Sequence, residues 1–211
     1  MFIVLEGIDG SGKTTAREFI ADWFRKQGRE VVVTREPGGT PMAEKIRSLI
    51  LSDPSASEDA LTPMAKTLLF MAAREQHIKN VILPALENGK VVISDRFCDS
   101  TFAYQSYEGI LMDKLLDLHK LAFDDFKPNL TFVMDGDPEV FRSRLEDRGE
   151  TNYYDRMPPE FHNYTRCLYL SMAVQEGHRY VVINAEDSLA EVKNQITKEL
   201  DVFNHKRYNG V

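Results

Sequence analysis

Along the chain, short unbroken apolar runs alternate with longer stretches whose apolar positions recur at three- and four-residue spacing. The first pattern predicts buried strands and the second amphipathic helices. The strand set is Phe2 to Glu6, Glu30 to Thr34, Lys90 to Asp95, Leu130 to Asp135 and Tyr180 to Asn184. A helix is expected over Lys13 to Gln27, stopped by Gly28, and another over Pro41 to Leu51, capped by Thr40. Leu61 to Glu87 reads as one long helix with a kink at Pro84 and a stop at Gly89. Ser100 to Tyr107, Leu111 to Phe123, Pro138 to Arg148, Pro158 to Glu176 and a last helix capped by Ser188 complete the pattern.

Val- and Ile-rich strands without alternation are buried on both faces, and helix-sized connections join strands that run parallel. The expected fold class is therefore α/β: a three-layer domain over residues 1–211, with a five-stranded parallel sheet and helices on both faces. Ligands in such sheets bind beyond the carboxyl ends of the strands. That points to Glu6/Gly7, Thr34/Arg35, Asp95/Arg96 and Asp135 before any motif is considered.

Composition narrows the function classes. With 43% hydrophobic and 28% charged residues, the chain is globular, and its 211 residues need no covalent staples. No apolar run approaches the roughly 18 residues of a membrane span. The N-terminus has no basic region ahead of its apolar run and reads as a strand, not a leader. Cys98 and Cys167 are far apart without metal-ligand spacing, as expected of reduced thiols in a cytoplasmic protein. A net charge of −7 argues against a nucleic-acid partner. Phosphate would have to be handled in a local basic pocket. The five histidines share no spacing and read as packing or surface residues.

One motif supplies such a pocket. Gly7-Ile8-Asp9-Gly10-Ser11-Gly12-Lys13-Thr14 fits G-x-x-x-x-G-K-[ST] between a strand and a helix, the setting a phosphate-binding loop requires. Its glycines let backbone N–H groups close round a polyphosphate, and the helix N-terminus adds partial positive charge. Lys13 is expected on the β- and γ-phosphates and the Thr14 hydroxyl on magnesium.

Four further segments bear on what the phosphate loop serves. Thr34 to Thr40 puts Arg35 at a strand end before Pro-Gly-Gly. Asp95-Arg96 ends the third strand; the Asp suits a magnesium-water contact or a base on an acceptor oxygen, and the Arg a bidentate phosphate grip. Phe70 and Arg74, at i and i+4, can offer a stacking plane and a donor to a flat base. Asp99 to Gln105 is a polar helix start whose Gln105 can read a base edge.

Together LEGIDGSGKTT, TREPGGT, LLFMAAR and ISDRFCDSTFAYQ resemble the bacterial and phage type of thymidylate kinase, in order and spacing, from about Phe2 to Leu170. The resemblance implies a P-loop kinase fold with a short Arg-containing lid at about 142–157, a homodimer, and Mg2+ bound with ATP. It implies ATP and dTMP as the small-molecule substrates, giving ADP and dTDP. Residue by residue, it places Gly7, Asp9, Gly10, Ser11, Gly12, Lys13, Thr14 and Thr15 on ATP, and Thr14 and Asp95 on the metal. It places Asp9, Glu36, Pro37, Arg47, Phe70, Arg74, Arg96, Ser100, Tyr104 and Gln105 on dTMP. Within that set, Phe70 would stack on thymine, Arg74 and Gln105 would meet the base edge, and Arg47 and Arg96 would hold the acceptor phosphate. Tyr104 would lie against the sugar C2′ and Asp9 near its 3′-hydroxyl.

Lys13, Asp95, Arg96, Arg148 and Arg156 form the expected catalytic set. Some members of the family carry a catalytic Arg inside the phosphate loop, where this chain has Gly10, so the lid is expected to supply that cation. Arg144 and Arg148 share a helix face, which assigns Arg144 to the adenine side and Arg148 to the moving phosphoryl; Arg142 is expected to pair outward with Glu146. Phe97, Ser106-Tyr107-Glu108, Glu146 and the 151–155 segment depart from the family pattern without removing a chemical group. The competing readings are a broader-specificity deoxynucleoside monophosphate kinase, a deoxynucleoside kinase, and a P-loop switch without a small acceptor.

Overall fold

The computed structural model describes residues 1–52, 59–146 and 153–209. Five strands, β1 (Phe2–Glu6), β2 (Val31–Arg35), β3 (Val91–Asp95), β4 (Leu130–Asp135) and β5 (Tyr180–Asn184), form one sheet in the order β2-β3-β1-β4-β5. Every neighbouring pair is parallel. Leu5 and Arg35 both lie opposite Asp95, so the ends of β1, β2 and β3 stand abreast. β1 lies between β3 and β4; the chain leaves β1 toward β2 on one side and β4 toward β5 on the other, which opens a crevice beyond the C-terminal end of β1.

The strands read as continuous apolar runs because both faces are covered. Ile3, Leu5, Ile93 and Phe132 point to one side, where α1 (Lys13–Lys26) and α9 (Leu189–Asn209) bring Ile20, Phe24, Ile196 and Leu200. Phe2, Val4 and Val92 point to the other. There α3 (Pro63–His77), α5 (Cys98–Tyr107) and α6 (Met112–Phe123) bring Met71, Phe102 and Leu115. A third cluster joins Ile50 of α2 (Pro41–Ile50), Phe70, Tyr104 and Val133 to Phe161, Tyr169 and Ala173 of α8 (Pro159–Gln175). Each fully buried side chain of this kind contributes roughly 1.5–3 kcal/mol.

The helix expected over Leu61 to Glu87 is instead three pieces. α3 ends at His77, Ile78–Ile82 is a π-turn, and α4 is Leu83–Glu87. Pro84 has no N–H to donate and its ring crowds the turn before it. Widening that turn, with the Leu83 N–H bonded to the Ile78 carbonyl, accommodates the ring. Thr40 caps α2 as expected, its Oγ1 accepting the Ala43 N–H at 3.1 Å. Ser188 and Glu191 form a reciprocal capping box at α9. α7 is Pro138–Glu146, so the expected continuation to Arg148 lies outside the described residues. α5 opens at Cys98, two residues before the expected start, directly after a left-handed turn at Arg96.

Candidate active site

The crevice holds a cavity of about 360 Å3. Its floor is the loop between β1 and α1, with Asp9, Gly10, Gly12, Lys13 and Thr14 on the wall. β2 and β3 add Arg35, Glu36, Pro37, Asp95, Arg96 and Phe97 from their ends. Helices α2, α3 and α5 add Arg47, Phe70, Arg74, Ser100, Thr101 and Tyr104. Tyr154 and Asp155, from a 3-10 turn just before α8, close one side. A second cavity of about 260 Å3 touches the same loop at Gly12 and is lined by Ser11, Thr15, Arg144, Ala185, Asp187 and Lys193. Thr15 and Arg144, expected on ATP, thus share one wall, and the Arg144 Nη1 donates to the Ala185 carbonyl at 2.9 Å.

Lys13 is 6% exposed and donates to the Gly7 and Ile8 carbonyls at 3.0 and 2.9 Å. It lies 3.5 Å from Asp9. Burial and the nearby Arg96 charge pull the Lys13 ammonium below its ordinary pKa. Burial opposes ionisation of Asp9, but Arg96 and Lys13 outweigh it and hold that carboxyl below the usual range. Gly10 has φ +81, and a side chain there would run into the Phe141 carbonyl of α7. An Arg at this position is therefore excluded by backbone, which is why no loop cation faces the cavity from residue 10. Gly7 is closed in the same way, with the Met134 carbonyl 2.6 Å from where a Cβ would stand.

Arg96 sits at φ +72, a left-handed conformation that a side chain other than Gly rarely adopts. The turn aims its guanidinium back over the phosphate loop. Nη2 donates to Asp9 at 2.7 Å, and Nη1 donates to the Ser100 and Tyr169 hydroxyls at 2.9 and 3.1 Å. Its charge also lies 5.3 Å from the Tyr104 ring centre. Burial disfavours the charge, but Asp9, Tyr104, Tyr169 and Glu6 together outweigh it and raise the Arg96 pKa well above the ordinary value.

Arg74 is 2% exposed and largely committed inward. Nε donates to Glu36 at 2.7 Å, and Nη2 donates to the Phe97 carbonyl and the Thr101 hydroxyl. Nη1 reaches the Met71 sulfur at 3.8 Å, a weak acceptor, which leaves that nitrogen for a ligand oxygen. Glu36 also accepts from His77 Nδ1 at 2.9 Å. Burial opposes its ionisation, but Arg74 and His77 together lower the Glu36 pKa. The Glu36–Pro37 peptide is cis, and the Pro37 carbonyl accepts from Arg47 at 2.9 Å.

Beyond the phosphate loop, two expected residues, Gln105 and Arg156, are not on the cavity wall. Gln105 is fully buried, and its amide meets Glu108 and the hydroxyl of the cavity-lining Tyr154 from behind. It shares a helix face with Thr101, but lies one turn farther from the strand end, so Thr101 reaches the wall and Gln105 does not. Arg156 is exposed and outside both cavities, and Arg148 lies outside the described residues. Arg142 pairs with Glu139 at 2.7 Å, one turn earlier on the same helix, and the side chain of Glu146, its expected partner, lies outside the described residues.

The structure adds residues that the motifs did not single out. Arg17, one turn past Lys13, lines the cavity with Nη1 4.0 Å from Asp95. Its i, i+4 spacing from Lys13 was a readable signal. Tyr169, His77 and Asp155 carry no local pattern; pairings distant in sequence bring them in.

The family model described as thymidylate kinase matches residues 5–196. The chain is 41% identical to the thymidylate kinase of Hahella chejuensis over 95% of each chain. It is 42% identical to that of the Wolbachia of Culex pipiens, over 98% of this chain and 97% of that one. The crystal structure of thymidylate kinase from Ehrlichia chaffeensis superposes with a TM-score of 0.75 at 34% identity, covering 95% of this chain and 98% of that one. With a phosphate loop facing a basic, aromatic-walled crevice, and likeness of this extent along nearly its whole length, the chain belongs to the thymidylate kinase family, whose members have the P-loop kinase fold.

Proposed function

We propose that this phosphotransferase moves the γ-phosphoryl group of ATP to dTMP, giving ADP and dTDP. The observation that carries the reading is one cavity shared by the phosphate loop and by a wall of Phe70, Arg74, Arg96 and Tyr104. A donor phosphate chain and a flat, phosphate-bearing acceptor then meet at the loop mouth, where positioning and electrostatics supply most of the catalysis.

Lys13 releases the Gly7 and Ile8 carbonyls and turns its ammonium to the β- and γ-oxygens. Arg96 and Arg47 grip the acceptor phosphate, with Arg96 held in place by Asp9, Ser100 and Tyr169. Phe70 stacks on the base, Arg74 Nη1 donates to its O4, and Tyr104 crowds C2′ of the sugar. Asp9 orients the 3′-hydroxyl, and Arg144 lies on the adenine side. With position 10 closed to an Arg, the cation on the moving phosphoryl comes from the lid, from Arg148 or Arg156.

The Thr14 hydroxyl and the Asp95 carboxylate stand on the same wall, a hard-oxygen donor set that fits Mg2+. Among the described residues there is no cluster of three or more His, Cys, Asp or Glu to cage a metal, as suits an ion held mainly by phosphate and water. When bound with ATP, Mg2+ would neutralise charge on the β- and γ-oxygens. Exposed Leu68 of α3 and Leu116 and Leu121 of α6 support a homodimer through that side. We also propose a cytoplasmic location, which the two free cysteines support. Among the described residues, no helix is long and apolar enough to cross a membrane.

The test is kcat/KM for a panel of monophosphates with ATP in excess. We expect dTMP best and dUMP modestly weaker, since a lost methyl costs about 0.8 kcal/mol. dCMP should be weaker again, because its N4 amino group faces Arg74 donor to donor, about 1–3 kcal/mol. Purines should be poorest. Equal use of dTMP and dGMP would reject the thymine pocket in favour of broad specificity.

A further inference from the structure

Glu6 is the last residue of β1 and directly precedes the phosphate loop. Its carboxylate is 0% exposed, and neither phosphate binding nor base recognition accounts for it. A buried carboxylate is costly unless its oxygens are satisfied. Here one oxygen accepts the Phe97 N–H at 2.8 Å and the other accepts the Ser100 hydroxyl at 2.6 Å. The second oxygen also lies 3.9 Å from Arg96 Nη1. The two hydrogen bonds therefore bracket Arg96. One grips the backbone just after its left-handed turn, and the other grips the hydroxyl to which its guanidinium donates. Tyr169 completes the frame, since its hydroxyl meets both Ser100 and Arg96.

A left-handed Arg persists only where its surroundings hold it there. We propose that Glu6 is a positioning residue for acceptor capture: it holds the Arg96 turn through Phe97 and Ser100 and so aims the guanidinium at the acceptor phosphate. The inference rests on the acceptor-phosphate role given above to Arg96. Glu6 touches no substrate itself.

The charge of Glu6 matters as well as its shape. Burial, with Asp99 beside it, pushes its pKa up to about 7, against a pull from Arg96. The titratable groups around it are Arg96, Lys13 of α1, Cys98, Asp99 and Tyr104 of α5, Tyr169 of α8 and Tyr180 of β5. Protonation replaces one acceptor with a donor and removes the negative charge near Arg96. The Arg96 frame then loosens as pH falls through about 7.

The test is Glu6→Gln in the full chain, with steady-state kinetics against dTMP and against ATP from pH 6 to 8. At pH 8 we expect KM for dTMP to rise about tenfold, with KM for ATP and kcat within about twofold of wild type. The ratio of wild-type to variant kcat/KM for dTMP should fall as pH drops from 8 to 6. The phosphate ionisation of dTMP, near 6, is common to both enzymes and cancels in that ratio. An unchanged KM for dTMP, an equal rise in both KM values, or a pH-independent ratio overturns the proposal. If Glu6→Gln does not fold, Tyr169→Phe decides. Removing its hydroxyl should raise KM for dTMP alone by about threefold, and no change overturns the role of the frame. A wild-type enzyme inactive on dTMP would reject the function itself; an active one with an indifferent variant would reject only the role of Glu6.

Discussion

The buried Glu36–Arg74–His77 cluster invites a double-mutant cycle. Glu36→Gln keeps the shape but turns one acceptor oxygen into an amide that faces either Arg74 Nε–H or His77 Nδ1–H, donor against donor. It also leaves the Arg74 guanidinium, 2% exposed, without its counter-ion. Breaking a buried pair from one side costs about 3–5 kcal/mol. Arg74→Met is expected to cost a similar amount, since Glu36 then keeps only His77 and sits buried with excess negative charge. The double variant removes both charges at once, and a Met in the Arg74 site preserves much of its packing. Its loss should fall short of the sum of the single losses by at least about 2 kcal/mol. Urea unfolding followed by fluorescence of the single tryptophan, Trp23, which packs against the core, reads all four proteins. Single losses below about 1 kcal/mol, or additivity within about 0.5 kcal/mol, would refute the reading of Arg74 as a charge held by Glu36.

Two further outcomes are expected. Lys13→Met should lower kcat by at least about 10³-fold, and it should also lower stability by about 1–3 kcal/mol, because the Gly7 and Ile8 carbonyls lose their donor; a kcat within tenfold of wild type would remove Lys13 from the mechanism. Burial holds His119 at about 4, below its ordinary 6.5, so the unfolded chain takes up that proton first. The stability this contributes is fully present above pH 6.5 and is lost as pH falls toward 4. Between pH 7 and 4.5 the wild type should therefore lose about 2–3 kcal/mol more than His119→Phe in urea titrations, and equal losses would reject the assignment.

The sequence by itself determined the strands, the phosphate loop and the family, because each is written in contiguous residues. A short Val/Ile run bounded by polar turns, repeated between helix-sized segments, reads as a doubly covered strand. A Gly-rich turn between strand and helix binds phosphate through its own backbone. Strand ends were legible for the same reason, so Arg35, Asp95 and Arg96 were placed at the crevice from order alone. Spacing along a helix was a weaker guide, because periodicity fixes a face and not a depth; Thr101 and Gln105 share a face, and only one reaches the cavity. The long helix from Leu61 also looked continuous, since the pattern survives a π-turn that Pro84 requires.

Only the tertiary structure decided how the chemistry is held. Glu6 meets Ser100 across 94 residues of chain, Glu36 meets His77 across 41, and Arg96 meets Tyr169 across 73. Such pairings depend on which strands lie side by side and where α8 crosses them, and no local pattern encodes either. Position 10 shows the division most plainly. The sequence shows that a glycine stands there, while the Phe141 carbonyl, brought in by α7, is the physical reason that nothing larger can.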